Sequence, residues 1–172
     1  MEEHTAERRA LLEYVERFAS VMIDSGMQRM SARVFAYVLV DDAETYTAAE
    51  IAEGLSISLA AVSGAVRELI AAGLLAKGRR TSTRADVYRL HDDDIWGSIM
   101  LDRRGIIDHY RNIALFGIET LPEGPGRNRL VQTAAFMDFM TAEFDALRAK
   151  WHERRDELCA TYVERRRTTP PR

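Results

Sequence analysis

Cysteine is nearly missing from this chain. Its 172 residues hold one, Cys159, so no disulfide can close within the molecule, and a reducing cytoplasm is the natural setting. Long apolar runs are missing as well: nothing approaches the ~20 residues that span a bilayer, so no membrane partner is expected. The acidic, amphipathic start MEEHTAERRALLEY does not read as a signal peptide. The four prolines are confined to PEGPG at 122–126, which breaks a helical pattern, and to the tail RRRTTPPR, which reads as frayed. Also lacking are a glycine-rich phosphate loop, a nucleophile elbow and a paired-cysteine site. The histidines, His4, His91, His109 and His152, are scattered. Only His109 lies near acids (Asp102, Asp108) on a helical pattern, where a lone imidazole reads as a structural or surface group. The expectation is no metal, no cofactor and no enzyme.

What the chain does have is concentrated in residues 47–90, TAAEIAEGLSISLAAVSGAVRELIAAGLLAKGRRTSTRADVYRL. A short helix over 47–54, a tight turn at 55–57, a second helix from Ser58 to Gly73 and two short strands around a basic tip form the pattern of a winged helix-turn-helix. Ile51 and Leu55, then Val62, Val66, Leu69 and Ile70, recur at steps of three and four and can face one core. That leaves Ala60, Ala61, Ser63, Gly64 and Arg67 outward. Small side chains with one long cation let a helix backbone sink into a major groove. Thr47 with Glu50 forms a capping-box pattern, Ser58 can cap the second helix, and Gly73 suits the left-handed residue that ends it. The tip, residues 81–85, holds neither glycine nor proline, which predicts an open, mobile wing instead of a two-residue turn.

Overall charge conceals a segregation. The net value is −3, yet residues 56–91 carry six cations (Arg67, Lys77, Arg79, Arg80, Arg84, Arg89) against Glu68 and Asp86, a local +4. Residues 41–55 carry five anions and no cation. Phosphate binding depends on local positive charge, so the basic segment coincides with the motif that would use it.

The flanks are helical patterns whose stripes need partners. Leu11, Val15, Phe18 and Met22 define one before Gly26, and Val34, Phe35, Val38 and Leu39 define another from about 30 to 40. After the wing, Ile95, Ile99, Ile106, Tyr110, Ile113 and Gly117 mark a long helix over 95–121. Met137, Met140, Phe144, Leu147, Trp151 and Leu158 mark a longer one from about 128 to at least 162. The expected fold is mainly α with a small β wing: a winged helix-turn-helix plus long dimerisation helices. The domains are an N-terminal dimerisation helix (1–28), a DNA-binding domain (29–91), a C-terminal helical dimerisation region (92–165) and a frayed tail (166–172).

This succession resembles the MarR superfamily of transcriptional regulators. GMQRMSARVFAYVLV (26–40), the helix-turn-helix block and RADVYRL resemble its GbsR-like, actinobacterial branch, with one departure: Gln28 stands where the family usually has proline. The resemblance implies a homodimeric repressor on double-stranded DNA, reading a pseudo-palindromic operator with half-sites ~34 Å apart and relieved by a small molecule. By residue, Ser58 would cap the reading helix and touch a phosphate, Ser63 and Arg67 would reach bases or backbone, and Ala60, Ala61 and Gly64 would lie against the groove. Arg84 would enter the minor groove, with Arg79 and Arg80 on phosphates. An apolar or amphipathic effector would draw its pocket from Met22, Arg33, Trp96, Met100 and Tyr110. The competing expectation is a winged-helix protein-interaction module that uses its basic face without specific DNA binding.

Overall fold

A computed structural model describes residues 2–80, 84–101 and 104–168. They form two compact units, residues 1–95 and 96–172. The first contains helices α1 (Glu2–Asp24) and α2 (Arg29–Val40), strand β1 (Tyr46–Thr47), helices α3 (Ala48–Leu55) and α4 (Leu59–Ala71), and strands β2 (Leu75–Arg79) and β3 (Asp86–Leu90). The second contains α5 (Ile95–Leu101), α6 (Arg104–Thr120) and α7 (Pro125–Thr168). This is the mainly α architecture with a small wing that the periodicity predicts.

Local chemistry accounts for the boundaries. Gly26 and Gly73, with φ of 98° and 71°, take the left-handed conformation just past α1 and α4. At the start of α2, Gln28 has φ −64° and no side-chain cap, so glutamine occupies a backbone shaped for the proline that the family pattern expects. Thr47 and Glu50 form the full capping box, with Thr47 N–H donating to Glu50 Oε2 at 2.6 Å and Glu50 N–H to Thr47 Oγ1 at 3.2 Å. Ser58 accepts from the Ala61 N–H at 3.2 Å and caps α4.

Phe35, Ile51, Leu69, Leu75, Val15, Val34, Val62 and Val66 fill the core of the first unit, each side chain fully buried. Burial of this kind contributes roughly 1.5–3 kcal/mol per large aliphatic or aromatic side chain. The stripe on α1 is partly covered by α2 of the same chain: Val15 and Ala19 are buried, and the Phe18 and Phe35 rings lie 6.3 Å apart. Ser31 Oγ donates to Glu68 and ties α2 to α4. Tyr37 packs so closely on α3 that a β-carbon at Gly54 would overlap its hydroxyl, which explains a glycine inside a helix. The sheet is antiparallel in the order β1-β3-β2, with Tyr46 opposite Tyr88 and Arg79 opposite Asp86. Strand β1 was not expected, because two residues are too few to show a period.

In the second unit α6 and α7 pack on each other. A β-carbon at Gly117 would overlap Leu130, so this glycine sets the close approach of the two helices. Arg104 pairs with Asp145 and Arg111 with Asp138 along the seam. The pattern expected as one helix over 95–121 is observed as α5 and α6 on either side of residues 102–103, which lie outside the described residues. Its stripe also divides. Ile107, Ala114 and Gly117 are buried, whereas Ile106, Tyr110, Ile113 and Phe116 are 50–60% exposed. On α7, Leu147 is likewise half exposed, whereas Phe144 of the same stripe lines a small cleft with Thr141 and Ile107. Helix α7 continues to Thr168, so regular structure reaches into the segment expected to fray.

Candidate nucleic-acid interface

Helix α4 buries Val62, Ala65, Val66 and Leu69 and turns the opposite side to solvent. Ser58, Ala60, Ser63 and Arg67 are exposed, and Ala61 and Gly64 are partly so. A β-carbon on Gly64 would meet nothing within 4 Å, so this glycine is not required by packing within the chain. Arg67 Nε donates back to the Ser63 carbonyl at 3.1 Å, and among the described residues no acid pairs with it. The six expected residues of the reading helix are therefore all at least partly accessible. Sequence reasoning missed a seventh, Leu59, which is 56% exposed at the first turn. At about 100° per residue it falls between the buried Val66 and the exposed Ser63 on the helical wheel, so spacing places it at the edge of the outward face.

The wing carries cations of two kinds. Lys77 Nζ lies 2.7 Å from Asp86 Oδ2, so the acid on β3 holds the lysine on the facing strand. Arg80 makes a bidentate pair with Glu50, 2.8 Å to Oε1 and 3.0 Å to Oε2. Those two contacts, with the Thr47 N–H behind them, hold the Glu50 carboxyl down at about 2, well below the usual carboxylate range. Arg80 was expected on a phosphate; it joins the wing to the first turn of α3. Arg79 and Arg84 have no acidic partner among the described residues and are exposed. Arg84 has φ 55°, a left-handed conformation that costs a β-carbon residue roughly 1–2 kcal/mol. Its N–H donates to the Arg80 carbonyl at 2.9 Å, and the Arg80 N–H to the Ala85 carbonyl at 2.9 Å, so the turn is closed at its base. The expected mobility of the tip falls on residues 81–83, outside the described residues.

At the other end of α3, the Arg8 guanidinium donates to the carbonyls of Glu53 at 3.1 Å and Gly54 at 3.4 Å. The helix that precedes the reading helix is thus gripped at its N-terminus from the wing and at its C-terminus from α1. Tyr46 Oη donates to Asp41 Oδ2 at 2.9 Å, and burial, followed by this bond to a carboxylate, pushes its hydroxyl above the ordinary range.

The five expected effector residues are divided between the two units. Met22 and Arg33 lie in the first unit, where Arg33 pairs with Glu16 at 2.7 Å. Trp96, Met100 and Tyr110 lie in the second and are 40%, 53% and 52% exposed. A cavity of about 540 Å³ in the first unit is lined by Glu7, Arg8, Leu11, Tyr37, Val40, Asp41, Asp42 and Gly54 and includes neither Met22 nor Arg33. Among the described residues no group of three or more His, Cys, Asp or Glu could hold a metal ion, and no single helix is long and apolar enough to cross a membrane.

A two-helix turn with a capped, small-faced second helix and a basic antiparallel wing defines a winged-helix DNA-binding module. Two family models match separate segments of the chain: the MarR family over residues 25–85, and the MmpR5-like MarR family transcriptional regulators over residues 94–154. The sequence matches no curated protein. Among solved structures, one described as a transcriptional regulator superposes with a TM-score of 0.72 at 20% identity, over 84% of this chain and 99% of its own. A mutant of Lactococcus lactis ZitR in apo form aligns over 81% of this chain and 96% of its own at 18% identity, with a TM-score of 0.33, too low to bear on the fold. These matches show the fold of the MarR-superfamily transcriptional regulators.

Proposed function

We propose that the protein is a cytoplasmic, homodimeric repressor of the MarR type, in the GbsR-like branch, that binds a pseudo-palindromic operator and releases it to a small apolar or amphipathic ligand. The observation that carries the reading is the outward face of α4. Its side chains are small apart from Leu59 and Arg67, its neighbouring acid Glu68 accepts from Ser31 Oγ, and it accompanies two exposed wing arginines, Arg79 and Arg84, that no acid neutralises among the described residues. Such a surface suits groove insertion with phosphate anchoring on either side. The paired cations Lys77 and Arg80 contribute less to DNA affinity on this reading, because a phosphate must first displace a carboxylate.

Dimerisation is supported by the apolar side chains that α6 and α7 leave exposed: Ile106, Tyr110, Ile113 and Phe116 on one, Val131, Phe136, Phe139 and Leu147 on the other. An exposed apolar surface of this extent marks an interaction site, and a second copy would also double the reading helices. The ligand reading rests on Trp96 and Met100, exposed apolar side chains at the start of α5. The deciding experiment is selection of bound duplexes from a random pool by the full-length chain. A two-fold-related consensus, retained over excess competitor DNA and weakened steeply by salt, is the expected result. Retention of every duplex alike, or of none, would leave the basic face to a protein partner.

A further inference from the structure

Leu59 is the one large apolar side chain that α4 leaves exposed, at 56%, although the same helix buries Leu69 to 1% and Val62 completely. Its position explains why. At about 100° per residue, Leu59, Ser63, Arg67, Ala60 and Gly64 fall within an arc of about 140°, with Leu59 at the edge that borders the stripe of Val66, Val62 and Leu69 but in the first turn, before that buried stripe begins. Leu59 is therefore the apolar end of a face otherwise made of hydroxyl, methyl, hydrogen and guanidinium. It follows Ser58, whose hydroxyl already satisfies the Ala61 N–H, so the first turn is closed and its side chains are presented in fixed directions. In the major groove the thymine 5-methyl is the apolar feature that distinguishes one base from the others, and an aliphatic side chain is its natural complement.

Resting on the DNA-reading function proposed above, we infer that Leu59 is a specificity-determining residue: it packs on a thymine methyl in each half-site, and Arg67 on the same face supplies the polar contact. Neighbouring Ala60 carries a single methyl and cannot reach as far from the same backbone. The half-site thus contains one thymine whose methyl, not its hydrogen-bonding edge, is read.

The test replaces each thymine of the selected operator, one at a time, with deoxyuridine, which removes the methyl and preserves pairing. For the wild-type protein, affinity falls about fourfold at one thymine and its two-fold mate, the effect of burying roughly one methyl-sized group. Leu59→Ala removes the contact from both half-sites, so it loses about fourfold per half-site on the thymine operator and nothing further when a thymine becomes deoxyuridine. Leu59→Met, which keeps an aliphatic reach, retains part of the discrimination. Because Leu59 is exposed, all three proteins melt alike, and thermal unfolding checks this. Selective binding with no sensitivity to deoxyuridine, a half-site without thymine, or equal sensitivity in wild type and Leu59→Ala would each overturn the role of Leu59 while leaving the regulator reading intact. Failure to select any sequence would overturn both.

Discussion

Gly64 offers the sharpest separation of stability from DNA reading. It sits inside a 13-residue helix, where glycine costs about 0.5–1 kcal/mol relative to alanine, and nothing lies within 4 Å of where its β-carbon would be. Gly64→Ala therefore stabilises the free protein by about 0.5–1 kcal/mol, a rise in Tm of roughly 1–4 °C for a chain of this size. Gly64→Leu also folds, since its side chain extends into open space. Against a groove the sign reverses. A leucine must fit where the backbone approaches the base edges, and overpacking of a close interface costs about 1–3 kcal/mol, which is roughly 5- to 150-fold in affinity. The assay is fluorescence anisotropy of a labelled operator at ~0.1 M salt, where screening extends over ~10 Å, beside thermal melts of the same preparations. The expected pattern is a melt that holds or rises while operator affinity falls, more for leucine than for alanine. Native affinity and selectivity in a well-folded Gly64→Leu would refute the argument, because the outward face of α4 would then not be seated in DNA.

Arg84→Ala and Arg84→Gly should weaken operator binding equally, each lowering the salt slope by about one. Only Ala retains the left-handed penalty at φ 55°, so Gly should be the more stable by about 1 kcal/mol in denaturant melts. Glu50 is held at about 2 in the fold against 4.5 for a free carboxyl, so its contribution is complete above about pH 4.5 and is lost as pH falls towards 2. Glu50→Gln should therefore melt a few degrees below wild type at neutral pH and converge with it in acid; parallel Tm curves would remove Glu50 as the anchor of Arg80. Gln28→Pro should stabilise the chain by about 0.4–1 kcal/mol, because φ is already −64° and the Gln28 N–H makes no hydrogen bond among the described residues. A lower Tm would show that Met27 cannot tolerate the following ring. Ile113→Glu on the exposed face of α6 should reduce the light-scattering mass from twice 19.5 kDa to the chain mass and weaken operator binding; an unchanged dimer would move the interface elsewhere.

The DNA-reading half was legible in the sequence because its rules are local. Thr47 and Glu50 cap one another three residues apart, Ser58 caps its own helix, Gly73 ends it, and four buried side chains on α4 recur at helical steps. Each of those constraints acts within a turn or two of chain, so the spacing of residues contains it. What escaped were partnerships across longer separations. Arg80 and Glu50 are 30 residues apart, and no periodicity tells a cation that meets a phosphate from one that meets a carboxylate. Arg8 reaching the end of α3 is the same kind of case, 45 residues away.

The long helices show a different limit. A stripe on a helical wheel says that a face must be covered, but not by what. On α6, Ile107, Ala114 and Gly117 are buried, with Gly117 against Leu130 of α7, while Ile106, Tyr110, Ile113 and Phe116 are 50–60% exposed. Both sets are apolar, so a pattern that scores only apolar against polar merges them into one stripe. What separates them is size. The covered face uses alanine and glycine, which permit close helix approach, whereas the open face uses aromatic and β-branched side chains that would hold a neighbour further off. On this reasoning the packed seam tolerates no enlargement: Gly117→Val must displace Leu130 and should unfold the second unit at lower temperature. Enlargement on the open face, such as Ile113→Phe, leaves folding intact and acts only on assembly. Melting and light scattering on the two variants distinguish these outcomes, and a Gly117→Val chain as stable as the wild type would show that the α6 and α7 seam is not set by close approach.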